Sequence, residues 1–165
     1  MASLTMNKSR KYSSLIVALS ICQIAGIIGA VFTTPAIPEW YVTLRKPSIA
    51  PPNWIFGPVW TTLYLLMGFS LYLVLKAGLG STNTRRSVAM FSIQLAMNVL
   101  WSYLFFGLRS PMLGLIEIMA MWTAILTTMV FFWKVSRTAT LLLVPYLLWV
   151  SFASYLNYLF MILNP

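Results

Sequence analysis

Five stretches of this chain are each apolar and long enough to cross a bilayer, which takes about 20 residues of α-helix. They are Ser14–Phe32, Ile55–Leu75, Ser87–Leu108, Met112–Trp133 and Ala139–Leu163. Hydrocarbon offers a bare backbone no partner, so each stretch must bond its own amides, as a helix does. The connections after the first are short, which makes successive helices antiparallel neighbours. The expected fold is therefore an all-α integral membrane protein: one bundle of five transmembrane helices forming a single domain over residues 1–165. Residues 33–54 are the one long connection. Only 8% of the residues are charged, against about 25% in soluble domains, too few to build a water-facing surface.

Eleven Lys and Arg face two acids, for a net charge of +9. They lie between the apolar runs, where cationic loops set topology and meet lipid headgroups, so nucleic acid is not expected as a partner. Lys8, Arg10, Lys11, Lys76, Arg85, Arg86, Lys134 and Arg137 fall on one side of the membrane, and Arg45, Lys46 and Arg109 on the other. The N-terminus is expected on the cytoplasmic side and the proline-rich connection opposite. The first apolar run is too long for a signal peptide, and Phe32-Thr33-Thr34-Pro35 offers no small-residue cleavage site. With no organellar presequence ahead of it, the expected home is a prokaryotic inner membrane.

There is no histidine, and Cys22 is the single cysteine. The commonest metal ligand, the usual haem ligand and the favourite general base are all missing. No metal site and no required cofactor are expected.

Polar and aromatic residues recur at helical spacing on three spans. The third aligns Gln94, Asn98, Trp101 and Phe105; the fifth aligns Pro145, Trp149, Ala153 and Asn157; the second aligns Trp60, Tyr64, Met67 and Leu71. Amides are costly in hydrocarbon without partners, so these faces point into the bundle. They serve either as interhelical hydrogen bonds or as a ligand's polar handle. The first span carries a stripe of small residues, Ser14, Ala18, Cys22, Gly26 and Ala30. Such a stripe admits a neighbouring helix of the same bundle, a second copy, or a ligand. Glu117, the one acid within a span, either snorkels, pairs between helices or is held protonated.

The segment R-K-P-S-I-A-P-P-N-W-I-F-G-P-V-W-T-T-L-Y (45–64) puts Pro47, Pro51, Pro52 and Pro58 next to two tryptophans. Each proline fixes φ near −65°. A loop stiffened this way either holds Trp40 and Trp54 over the bundle as a lid or simply caps the helix ends.

Three motifs now stand in order: W-Y-x-x-L-x-K-P with P-P-x-W-x-x-G-P-V-W-x-x-L-Y at Trp40–Tyr64, Q-L-x-x-N-x-x-W-S-x-x-F-F at Gln94–Phe106, and P-Y-x-x-W-x-x-F-A-x-x-L-N at Pro145–Asn157. Over Trp40–Tyr158 the chain resembles the tryptophan-rich sensory protein / translocator protein (TspO/MBR) family, formerly the peripheral-type benzodiazepine receptors. The resemblance implies a five-helix bundle, commonly a homodimer, that binds porphyrins and other flat apolar molecules in a pocket under the first loop. The lining it implies is Trp40, Tyr41, Trp54, Phe56, Trp60, Asn98, Trp101, Trp149, Ala153 and Leu156. Arg45, Lys46, Pro47, Pro51 and Pro52 form the lid and mouth, with Arg45 and Lys46 placed to meet propionates. Family members that degrade protoporphyrin in light and oxygen implicate two tryptophans that match Trp60 and Trp149. Two positions depart from the pattern. Ile49 stands where a lid tryptophan is common, and no basic residue follows Tyr158, so the proposed cholesterol motif of animal members is incomplete.

The expected function is accordingly a membrane receptor that binds, senses, sequesters or transports porphyrin, rather than an enzyme. Photo-oxidative porphyrin degradation through Trp60 and Trp149 is one alternative, and a regulatory or scaffold subunit another. Membrane lipid and a second copy of the chain are the expected macromolecular surroundings.

Overall fold

A computed structural model describes residues 8–165, with side chains from Tyr12 onward. The cations Lys8, Arg10 and Lys11, used in the topology argument, lie outside the described side chains. Helix α1 is Lys8–Ala36, α2 Asn53–Lys76, α3 Thr82–Ser102, α4 Pro111–Trp133, α5 Arg137–Leu142 and α6 Val144–Leu163. With α5 and α6 counted as one broken span, five helices are long and apolar enough to cross a membrane. Around the bundle, α1 lies between α2 and α3, α4 lies between α3 and α6, and α5 returns to α2.

Two spans end in π-helical turns, the first carried past its expected end at Phe32 and the third still within its expected bounds. After α1, the turn Ile37–Tyr41 closes with Val42 N–H on the Ile37 carbonyl at 3.2 Å. Pro35 and Pro38 bring no N–H to the α-helical ladder, and the chain widens there. The expected connection 33–54 therefore shrinks to residues 42–52, and Trp40 and Tyr41 sit on helix rather than loop. After α3, the turn Tyr103–Gly107 closes with Leu108 N–H on the Tyr103 carbonyl at 2.8 Å. Its extra residue turns the adjacent Phe105 and Phe106 both inward, at 2% and 9% exposure.

Local signals set the other ends. The Ser81, Ser110 and Ser136 hydroxyls accept from Asn83, Leu113 and Ala139 N–H, capping α3, α4 and α5. The fifth span is not one helix as expected. Pro145 near the start of α6 has no N–H for the preceding turn, so the chain breaks at Leu143.

The small stripe of α1 is spent mostly inside the bundle. Ala18 and Cys22 are fully buried. A Cβ on Gly68 of α2 would lie 2.9 Å from the Leu19 Cα and 3.2 Å from the Ala18 carbonyl oxygen, so the two backbones meet directly. At the end of the bundle that holds residues 42–52, Arg109 pairs with Glu39 at 2.8 Å. There Asn164 accepts from the Arg45 N–H at 2.9 Å and donates back to the Arg45 carbonyl at 3.2 Å. Pro47 is buried, and the Lys46 ammonium stands 4.8 Å above the Tyr41 ring. The connection is pinned to the end of α6 and to Tyr41.

Candidate functional site

At that same end, α1, α2 and α3 diverge around a cavity of about 320 Å³. Gln23, Gly26, Gly29, Thr33 and Thr34 face it from α1. Phe56, Trp60 and Tyr64 come from α2, and Asn98, Trp101, Ser102 and Phe106 from α3. The α2 side chains are spaced one helical turn apart, so three rings follow one another down a single face.

The floor is a hydrogen-bonded chain. Tyr64 donates to the Asn98 carbonyl oxygen, Asn98 Nδ2 donates to the Tyr146 hydroxyl at 3.1 Å, and Tyr146 donates to Met121 Sδ at 3.7 Å. One amide thereby joins α2, α3 and α6. Beside it, Trp101 Nε1 donates to Asn157 Oδ1 at 3.1 Å, and Asn157 Nδ2 donates to the Pro111 carbonyl at 2.7 Å. Both amides serve as interhelical bonds, and Asn98 also faces the cavity. Gln94, on the same stripe, is buried away from it with neither amide atom partnered in the protein.

Aromatic packing holds the wall rings in place. Trp60 lies 5.6 Å from Tyr64 and 6.3 Å from Tyr146, and Trp101 stacks on Phe105 at 5.2 Å. Offset and edge-on arrangements of this kind stabilise by about 0.5–1.5 kcal/mol beyond area burial.

Of the ten expected lining residues, Phe56, Trp60, Asn98 and Trp101 face the cavity. Trp149 stands in the next layer, edge-on to Phe56 at 6.1 Å. Tyr41 is buried against Phe56, Phe106 and Phe160, and Leu156 belongs to the same cluster. Trp40 packs edge-on to Phe105 at 5.5 Å, and Ala153 lies against the central core. Trp54 was expected over the bundle; it is 73% exposed and outside the wall. Its position explains why: two residues before Phe56, it occupies nearly the opposite face of α2. Arg45, Lys46, Pro47, Pro51 and Pro52 do not line the cavity either. Glu117 neither snorkels nor pairs: it is buried, at 6% exposure, with both oxygens unpartnered in the protein.

The α1 wall is what the aromatic motifs left unmarked. Gln23, Gly29, Thr33 and Thr34 carry no motif; only Gly26 and Ala30 of the small stripe pointed to this face as a possible ligand wall. Among the described residues, no group of three or more His, Cys, Asp or Glu is placed to hold a metal.

Residues 18–163 match the model of the TspO/MBR family. The chain is 46% identical to the tryptophan-rich protein TspO of Chlorobaculum tepidum, covering 97% of this chain and all of that one. It is 43% identical to the Archaeoglobus fulgidus protein of the same name, covering 96% and 99%. To the human translocator protein it is 42% identical, covering 73% and 72%.

Proposed function

The chain belongs to the TspO/MBR family, and on that footing we propose that it is a membrane-embedded binding and sensory protein for porphyrins and similar flat apolar molecules. The observation that carries the reading is the pair Trp60 and Trp101, two indoles from different helices facing one cavity with the Asn98 amide at its floor. Indole faces suit a macrocycle through stacking and area burial, at about 25 cal/mol per Å². A few polar side chains, Asn98 at the floor with Gln23 and Asn53 on the walls, among mostly apolar ones are the usual make-up of an orienting site, and the volume falls within the range of about 300–1,000 Å³ found for small-molecule pockets.

Sequestering or moving the bound molecule is the corresponding use. Lys46, above Tyr41 and through it next to Phe56 of the wall, is the cation best placed for a carboxylate on the guest. The distribution of cations supports an N-terminus on the cytoplasmic side, and a prokaryotic inner membrane is the home this reading assigns. A homodimer completes the reading, with the outward apolar face of α1, including Ile24, Ile28 and Val31, available to a second copy.

Binding rather than degradation is favoured by the place of Trp149. Of the two tryptophans the degradation reading needs, Trp60 faces the cavity and Trp149 does not. Titrating the protein in phosphatidylcholine nanodiscs with protoporphyrin tests the proposal. Saturable quenching of tryptophan fluorescence at one guest per chain is expected; quenching that only tracks lipid partitioning overturns it.

A further inference from the structure

The cavity wall is incomplete in one direction. Ile27, Ala30 and Thr34 of α1, with Gly57 and Thr61 of α2, line the cavity and are exposed on the bundle's outside. All five lie within helices long and apolar enough to span the membrane, so the side they open onto is the one a bilayer would cover. The opening follows the α1–α2 seam. Its deep end is closed where Gln23 Nε2 donates to the Thr61 carbonyl at 3.3 Å. From Gln23 to Thr34 the α1 rim rises about 16 Å at 1.5 Å per residue.

Most of the rim is apolar: Ile27, Ala30 and Gly57 carry no polar side-chain group. The Thr61 hydroxyl donates to the Gly57 carbonyl at 2.9 Å, so it is spent on its own helix, as is that of Thr33 behind the rim, on the Gly29 carbonyl at 3.1 Å. At Gly57 a Cβ would meet nothing within 4 Å, which leaves a gap in the α2 rim. The roof, by contrast, is fastened. Residues 42–52 are held by the reciprocal Arg45–Asn164 bonds and buried Pro47, and none of them lines the cavity.

We infer that the α1–α2 seam is the cavity's door, opening sideways into the bilayer, with Gln23 and Thr61 as its sill. Guests then arrive dissolved in the membrane rather than from water. The class admitted is flat and apolar along the edge that leads through the seam, and any charged group must trail at the headgroup level beyond Thr34. The identity of the guest rests on the function proposed above; the door does not.

Two measurements on the full chain in phosphatidylcholine nanodiscs separate these points. Gly57→Cys carrying a bimane label reports what fills the seam, with fully buried Cys22 left in place. Quenching by lipids bearing a nitroxide on the acyl chain, and not by aqueous iodide, is expected; quenching by iodide alone overturns the door. The association rate of protoporphyrin is then compared in Gly57→Leu, which fills the gap, and Asn164→Ala, which unfastens the roof. A fall of about tenfold in Gly57→Leu, with Asn164→Ala near wild type, is expected within the range that point variants span. Acceleration in Asn164→Ala with no change in Gly57→Leu overturns the door. Lipid quenching at position 57 without saturable protoporphyrin binding supports the door and refutes the proposed guest.

Discussion

Tyr64 donates its hydroxyl hydrogen to the Asn98 carbonyl oxygen, so the floor of the cavity is also the joint between α2 and α3. Because Asn98 passes the bond on to Tyr146, ligand site and bundle core share one polar chain.

Removing either end of that joint tests it. Tyr64→Phe leaves the Asn98 oxygen without this donor and should cost about 0.6–1.7 kcal/mol of stability, from the average to the maximum measured for membrane hydrogen bonds. Asn98→Leu, which takes the acceptor from Tyr64 and the incoming donor from Tyr146, should cost more, about 2 kcal/mol. Thermal unfolding in detergent measures both, and equal losses would show that the chain is not coupled through the amide.

Three glycines of the α1–α2 pair should respond differently to the same methyl group. At Gly26 a Cβ would fall 2.6 Å from the Tyr64 ring. Gly26→Ala should therefore push Tyr64 off Asn98, costing about 1–3 kcal/mol. At Gly68 the obstacle is the Leu19 backbone at 2.9 Å, which cannot swing aside, so Gly68→Ala should be the most damaging. Gly57→Ala meets open space and should stay within about 0.5 kcal/mol of wild type. Unfolding midpoints in the order Gly57→Ala, Gly26→Ala, Gly68→Ala, highest to lowest, are the expected result.

The donor set predicts how the cavity treats iron. The chain has no histidine, and Cys22 is buried in the α1–α2 contact, away from the cavity wall. Metal-free protoporphyrin should bind at least as tightly as haem, and bound haem should lack the absorption bands of histidine- or thiolate-ligated iron. Parallel titrations with the two porphyrins, followed in the Soret region, make the comparison.

The spans could be read from sequence because hydropathy and length alone decide whether a helix can cross a bilayer. The inward faces of α2 and α3 were equally readable, since Trp60, Tyr64, Met67 and Leu71 fall about one turn apart, as do Asn98 and Trp101 with their neighbours; Phe56, one turn before Trp60, came only from the resemblance. Spacing has no means of anticipating a π-helical turn, which is why two consecutive phenylalanines, Phe105 and Phe106, can both face inward. The break at Leu143 was signalled by Pro145, a residue that membrane helices also tolerate without breaking. Trp54 shows a different failure. Motif resemblance drew it into the site, whereas its register relative to Phe56 already placed it outside. The α1 wall was hardest to read, because a cavity can be bounded by glycine and threonine that carry no chemistry of their own.

Trp60 and Trp101 bear the central claim, and protoporphyrin titration of their alanine variants tests it most directly. Trp133, exposed near the opposite end of the bundle beneath Arg137, supplies the control Trp133→Phe. Trp60→Ala and Trp101→Ala should each weaken binding by about tenfold or more, about 1.4 kcal/mol, with Trp133→Phe unchanged. Wild-type affinity in both alanine variants, with the bundle still folded, would contradict the account.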